Sequence, residues 1–410
     1  MHVMFLHPNF PAQFGPIALH LALERKWPVT FVTSVETNHL QLPYNRIHYK
    51  IKPGPQPQVY FNSTSLQGHL EHLGAVYTGL RSVPQFRPDL VVGHMSYGTM
   101  LYLRNLYSCP FVGYFELLPP PFWTDGLILR KEYPPPEGTR LFNATYHALT
   151  YLHLHAVDAG YTPTHYQLST VPAELRHKLR VIFDGVDTNL FQRREMARPT
   201  HFRGLTVDAN TRVVTYVSRG LESVRGFDIF MKAAQRIAQE MSNVIFLIAG
   251  SERTDYGHEL NYLGGKSFKQ HVLEQVDYDR SRFHFLGHIP LEELVTLFNL
   301  SDVHLYLTVP FVLSWSLMQA LASECIVVGS ATAPVQEVIA DGVHGLLADF
   351  YDVDGLAEHA LRVLRDPAQY RHLGQAARQR VLERYDNRVC HEQLVQFFQS
   401  FARSGATTAT

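Results

Sequence analysis

The chain has 410 residues, with 36 basic against 37 acidic side chains and a formal charge of −1. That length exceeds one ordinary domain and predicts two, of roughly 180–200 residues each. Apolar residues at 46% supply two cores and exclude a disordered chain, and the balanced charge excludes a general nucleic-acid binder.

In chain order, "HVMFL" (2–6) suits a buried strand. A turn-rich loop, 7–15, leads to Pro16, well placed in a first helical turn, and "IALHLAL" has helical spacing. "PVTFVT" (28–33), "DLVVGH" (89–94) and "PFVGYFE" (110–116) read as further strands, with a helix expected near Gly98–Tyr107. "LLPPPFWTDGLILRKEYPPPEG" (117–138) carries two triple-proline runs and predicts a long irregular loop. "VIFDGVDTNLF" (181–191) is a strand and then a turn, and the polar stretch 192–210 marks the expected boundary. The second half repeats the alternation through "VVTYVS", "VIFLIAG", "FHFLG", "DVHLYL" and "CIVVGS", with helices after Gly226, from Pro290 and from about Val353. Charged helices run to Arg384, and "VCHEQLVQFFQSF" (389–401) has a helical apolar stripe. Apolar strands alternating with helices mean α/β domains with parallel sheets covered on both faces. Ligands of such domains lie beyond the C-terminal ends of the strands.

Cys109, Cys325 and Cys390 lie far apart, which fits neither a disulfide framework nor zinc-ligand spacing and suits a reducing compartment. The N-terminus lacks a signal-peptide pattern, and no apolar run approaches the ~18 residues of a membrane span. The sequons at Asn62 and Asn143 therefore read as chance. The expected location is the cytoplasm. Peripheral contact with the inner membrane face stays open, although no basic amphipathic stretch argues for it.

"VSRGLESVRGFD" (217–228), "FHFLGHIP" (283–290), "PFVLSWSLMQALA" (310–322) and "GSATAPVQEVIADGVHGLL" (329–347) stand in a fixed order. Together they resemble the group-4 glycosyltransferases, retaining enzymes with the GT-B fold, and the likeness covers nearly the whole chain. "HPNFPAQFG" (7–15) and "VIFDGVDTNLF" look like that family's first phosphate-side loop and interdomain strand. The resemblance implies two Rossmann-like domains facing a central cleft: 1–192 on the acceptor side and 193–385 on the donor side, with a final helix, 386–410, returning to the first. It also implies transfer of a sugar from a nucleotide-diphosphate donor to a hydroxyl of a carbohydrate or lipid-linked acceptor. The donor is then a substrate, and no metal or other cofactor is expected.

Carried over residue by residue, Arg219 and Arg225 match the two cations that clamp the donor diphosphate. Fixed cations stabilise the charge that grows on the leaving phosphate; the alternative is two solvated arginines. Ser314, Trp315 and Ser316 open a helix whose backbone N–H groups suit a phosphate or sugar hydroxyl, or else the serines simply cap it. Gln319 stands for the carboxylate that grips the ribose diol. It also completes a possible capping box with Ser316, and the two readings stay open. Phe311 replaces the second expected carboxylate and reads as a core aromatic. Glu324 occupies a helix exit that favours Gly. Gly15 matches a glycine that approaches donor or acceptor, against simple turn geometry. His94, ending a strand, matches a histidine at the donor sugar. Glu116 is an acceptor-side candidate, against a satisfied structural carboxylate. Gly287, His288 and Ile289 resemble the loop whose backbone meets the nucleobase. Glu337 lies near the helix flanking the diphosphate, where orienting that helix is the alternative. The acidic pairs Asp277/Asp279 and Asp352/Asp354 read as surface residues, so no metal site is expected. With both carboxylates replaced, a catalytically degenerate homologue acting as a binding or partner subunit is the second reading.

Overall fold

The computed structural model describes residues 1–37, 39–51, 64–97, 99–117, 130–194 and 201–404. Asn62, Gly98, residues 118–129 of the proline-rich stretch and residues 195–200 of the expected boundary lie outside them. The chain forms two compact units: Met1–Leu127, Glu137–Asp184 and Arg388–Thr410 make one, and Ile128–Pro136 with Gly185–Asn387 make the other. The crossing into the second unit comes at Gly185, ahead of the polar stretch where a boundary was expected. The reason is backbone pairing: Val186 N–H donates to Tyr385 O at 2.8 Å, and Asn387 N–H to Val186 O at 3.0 Å.

The first unit contains β1 (Val3–Leu6), α1 (Gly15–Leu23), β2 (Val29–Thr33), β3 (Asn45–His48), α2 (Thr64–Arg81), β4 (Leu90–His94) and β5 (Phe111–Tyr114). It continues with α3 (Glu137–Ala156), β6 (Ala159–Thr162), α4 (His165–Ser169) and β7 (Leu179–Val181). The seven strands are parallel in the order β3-β2-β1-β4-β5-β6-β7. Alternation along β1 sends Val3 and Phe5 into one core and Met4 and Leu6 into the other, the period of two that a two-faced sheet demands. Two corrections are local. The helix expected near Gly98–Tyr107 is a 3-10 turn at Leu101–Asn105 among the described residues, and α3 already begins at Glu137, inside the stretch expected to be irregular.

The second unit opens with a hairpin, β8 (His201–Phe202) and β9 (Leu205–Thr206). Then follow β10 (Arg212–Gly220), α5 (Phe227–Glu240), β11 (Val244–Ser251), α6 (Phe268–Gln275), β12 (Phe283–Gly287), α7 (Leu291–Leu300) and β13 (Val303–Tyr306). The unit ends with α8 (Trp315–Ala322), β14 (Val327–Ser330), α9 (Ala333–Val338), β15 (Leu346–Ala348), α10 (Val353–Arg365) and α11 (Pro367–Arg384). Its parallel sheet runs β12-β11-β10-β13-β14-β15. Val214 and Tyr216 of β10 join the core beneath α5 and α10, whereas Val213 faces the opposite core with Leu297 and Leu300 of α7.

Helix α12 (Asn387–Ser404) begins at the crossing and then belongs to the first unit. Its Leu394, Val395, Phe397 and Phe398 are buried against β1 and α1, with Phe398 6.3 Å from the Phe5 ring centre. The apolar stripe of 389–401 therefore closes one face of the first sheet.

In both sheets the strand order reverses at one place, between β1 and β4 and between β10 and β13. Helices leaving on opposite faces open a crevice there, at the C-terminal strand ends. The candidate residues group around these two places.

Candidate active site

In the second unit, β10 runs into a 3-10 turn, Ser223–Arg225, and then α5. Gly226 makes this junction possible. It sits at φ +64, and a Cβ there would come within 2.7 Å of Leu307 Cβ, so both conformation and space exclude a side chain. The turn is held from three sides. Glu259 accepts from Ser223 N–H at 2.9 Å and from Ser223 Oγ at 2.6 Å. Glu222 is fully buried and accepts the backbone N–H groups of Asp255, Tyr256 and Gly257 at 2.8–3.2 Å. Burial raises the Glu222 pKa, opposed by those hydrogen bonds and by the Arg225 charge. From the β13 side, Val309 N–H donates to Val224 O at 3.1 Å.

Arg225 projects from this fixed turn and is only 8% exposed. Its Nη1 donates to Thr308 Oγ1 at 3.1 Å and to Val312 O at 2.8 Å. The Phe311 and Tyr256 rings lie 5.3 and 5.8 Å from the guanidinium carbon. Among the described residues no carboxylate pairs with Arg225, and its Nε and Nη2 find no protein acceptor. A nearly buried cation with no carboxylate in contact, and only the more distant Glu222 to oppose its charge, is costly, and a bound anion would relieve that cost. Arg219 differs: its side chain is 66% exposed, its Nε lies 3.3 Å from Asp255 Oδ2, and Arg253 shares the same carboxylate.

Phe311 meets its core reading only in part. It is half-buried and packs on the edge of the second unit's core, with its ring 5.0 Å from that of Tyr256 and 5.3 Å from the Arg225 guanidinium carbon. The capping-box reading needs a correction. Helix α8 begins at Trp315 with Ser314 as its N-cap, whose side chain makes no cap bond. Ser314 Oγ and Ser316 Oγ bond each other, and Ser316 Oγ reaches Val217 O at 3.3 Å. The reason lies in tertiary contact: Tyr306 Oη accepts from Ser314 N–H at 3.0 Å and sets where the helix starts. The Gln319 side chain, half-buried, has no hydrogen-bond partner among the described residues. Trp315 is exposed at the head of α8.

Gly287 ends β12 at φ +64 with open space around it, and His288 is exposed. Ile289 packs on the core beside α7, so only part of this loop is available to a ligand. Glu337 is half-buried in α9, and its backbone carbonyl accepts from Arg380 at 2.9 Å. Among the described residues no group of three or more His, Cys, Asp or Glu side chains is placed to hold a metal ion.

In the first unit, His94 ends β4 beside the reversal point and is 2% exposed. Ser96 N–H donates to its Nδ1 at 3.2 Å, which leaves the ring proton on Nε2, 3.5 Å from Glu116 Oε2. His7 follows β1 on the other side of the reversal, its ring 5.3 Å from that of His94. Burial, and then the neighbouring His94, lower its pKa from 6.5 to about 3, so it is neutral. Sequence reasoning missed His7. The signal was its place directly after a buried strand, diluted among 23 histidines. Gly15 is explained by its own loop: a Cβ there would come within 2.9 Å of Pro11 Cβ.

The sequence matches two family models: "Glycosyl transferase family 4 group" over residues 25–191 and "Glycosyl transferases group 1" over residues 197–380. It is 21% identical over 207 residues to N-acetyl-alpha-D-glucosaminyl L-malate synthase of Bacillus anthracis, covering 50% of each chain. It is 25% identical over 241 residues to alpha-maltose-1-phosphate synthase of Mycolicibacterium smegmatis, covering 57% of this chain and 59% of that one. The matched stretches thus span little more than half of those relatives. Among solved structures, sucrose-phosphate synthase of Thermosynechococcus elongatus superposes with a TM-score of 0.73 at 17% identity, covering 98% of this chain and all of that one. Anabaena HepE, solved with UDP and glucose, gives 0.67 at 16% identity, covering 98% and 100%. The architecture is therefore that of the GT-B fold.

Proposed function

The chain belongs to the group 1, family 4 glycosyltransferases, and from that premise we propose that it is a retaining enzyme whose second unit binds a nucleotide-diphosphate sugar. One observation carries the proposal: Arg225, almost buried at the strand reversal, is held by two neutral acceptors and keeps two donor positions unspent. A donor diphosphate is an anion of the size and charge to use them. Arg219, exposed near the end of β10 and paired with Asp255, is assigned as the second cation for the same group. HepE, similar in fold, is solved with UDP-glucose, which supports a nucleoside diphosphate as the ligand.

In the proposed reaction the bond between the sugar anomeric carbon and the diphosphate oxygen breaks. The acceptor oxygen bonds that carbon on the same face, and its proton passes to the departing phosphate. Arg225 stabilises the charge on that phosphate without reorganising, because its turn is already fixed. His94 Nε2–H, set by Ser96, offers a hydrogen bond to a donor-sugar hydroxyl. Gln319 and the 287–289 loop are assigned to ribose and base, Ser314–Ser316 and Glu337 to the diphosphate surroundings, Gly15 to a turn near the donor phosphates or the acceptor, and Glu116 to the acceptor side. The acceptor class is a carbohydrate or a lipid-linked glycan. Among the described residues no helix is long and apolar enough to cross a membrane. The three cysteines are free, which fits a cytoplasmic enzyme.

The test is titration with UDP, GDP and ADP, followed by hydrolysis or transfer assays with the matching sugars. Arg225→Ala is expected to weaken the preferred nucleotide roughly 10- to 100-fold, the loss of one to two charge-assisted hydrogen bonds. Phe311, where the family has a carboxylate, favours a second reading, a binding subunit. Nucleotide binding with no turnover on any donor would establish that one, and no nucleotide binding at all would remove the first.

A further inference from the structure

Residues 130–136 lie in the chain between β5 and α3, both in the first unit, yet they belong to the second. What fastens them is Arg130. Its Nη1 donates to Ser223 O at 2.6 Å and to Asp228 Oδ1 at 2.9 Å, and Nη2 to Asp228 Oδ2 at 2.8 Å. The other edge grips Glu132 at 3.2 and 3.1 Å. The guanidinium is 2% exposed and is ringed by Tyr133, Phe350 and Tyr351 at 5.4–5.8 Å. Tyr133 packs 5.6 Å from Phe268, and Tyr262 Oη donates to Pro134 O at 2.6 Å.

Both ends of this grip bear on the donor turn. Ser223 is the first residue of the 3-10 turn that ends in Arg225. Asp228 lies in the first turn of α5, two residues beyond Gly226. An unpaired carboxylate there would repel an anion approaching the N-terminus of α5 and the Arg225 guanidinium. Arg130 offsets that charge with a bidentate, charge-assisted pair.

We propose that Arg130 is a positioning residue for the donor diphosphate: it fixes the turn that aims Arg225 and removes a repulsive charge at Asp228. The inference rests on the donor site proposed above. It gives a segment of the second unit that the chain places between β5 and α3 a part in that unit's own binding site.

The experiment is calorimetric titration of the full chain with UDP, GDP and ADP, alongside circular dichroism to establish folding. Four variants are compared: Arg225→Ala, Arg130→Met, Asp228→Asn and the Arg130→Met/Asp228→Asn double. Expected are a loss of at least tenfold in nucleotide affinity for Arg130→Met and a recovery of threefold or more in the double variant. Asp228→Asn alone should bind as tightly as the parent or tighter, since it removes the carboxylate in the first turn of α5 and leaves Arg130 paired with Glu132. A purely structural network predicts the opposite, a loss for Asp228→Asn as large as for Arg130→Met, and that result overturns the proposal. So does a folded Arg130→Met with affinity within twofold of the parent while Arg225→Ala is weakened, an outcome that leaves the donor site standing. If Arg130→Met does not fold, Asp228→Asn decides alone. Absence of any nucleotide binding in the parent removes both the donor site and this inference.

Discussion

Two residues of one type, Arg219 and Arg225, are treated in opposite ways by the fold. Sequence placed both after a strand and at the mouth of a helix. It could not see that Arg225 would be buried with no carboxylate in contact while Arg219 would share Asp255 with Arg253. That difference depends on Thr308 and Val312, some 83 and 87 positions along the chain. Gln319 shows the reverse. Locally it completes a capping-box spelling, but the helix starts two residues earlier than the spelling requires, so the amide stays unspent. This leaves the proposed ribose contact as its open role. A carboxylate would accept from both ribose hydroxyls, where an amide oxygen and amide N–H must divide the work. Gln319→Glu should therefore tighten nucleoside-diphosphate binding by about 1–2 kcal/mol, roughly 5- to 30-fold. Calorimetry on the two proteins decides it: equal dissociation constants would take Gln319 out of the site.

At the scale of elements, the exit of α8 repeats the lesson. The local rule that Gly suits a helix exit is met by Glu324, and the backbone keeps the rule's conformation, φ +59, without its residue. What holds Glu324 there is tertiary. Its carbonyl fills the space where a Cβ of Gly374 in α11 would stand, at 2.4 Å. Arg378 bonds the carbonyls of Ala322, Phe191 and Thr188, with its Nε 3.8 Å from Glu324 Oε1. None of these partners is legible near position 324, which is why sequence identified the oddity and not its support. A left-handed non-glycine residue costs on the order of 1 kcal/mol, and a long, partly exposed ion pair returns about 0–1 kcal/mol. Glu324→Gly should therefore raise stability by about 0.5–1 kcal/mol, read as a higher urea midpoint at unchanged slope. A lower midpoint would mean that the contact with Arg378 outweighs the backbone strain.

For the whole molecule, alternating apolar strands and helices made two parallel, doubly wound sheets legible, and the 389–401 stripe revealed a final amphipathic helix. The strand reversals were not legible, because nothing in β4 or β13 states which neighbour it will join. Nor was the grip of Arg130, hidden between proline runs that read only as loop. Burial of individual histidines is likewise a property of the finished fold, and it sets a pH limit in each unit. His304 sits in β13 under full burial, one ring nitrogen 2.9 Å from Thr215 Oγ1 and the other without a partner. Burial lowers its pKa from 6.5 to about 3, as it does, with His94 alongside, for His7 in the first unit. Between those values the unfolded chain takes up protons that the folded chain refuses. The stability due to neutral burial is therefore complete above about pH 6.5 and is lost as pH falls toward about 3. Each such histidine contributes a slope of roughly 1–1.5 kcal/mol per pH unit. His304→Asn keeps a polar group near Thr215 and cannot be protonated. It should cost stability at neutral pH and yet flatten the acid limb of the second unit, so that variant and parent converge between pH 7 and pH 5. Urea midpoints measured across that range test the claim, and parallel curves with a constant gap would show that His304 takes up its proton in the folded state as readily as in the unfolded one.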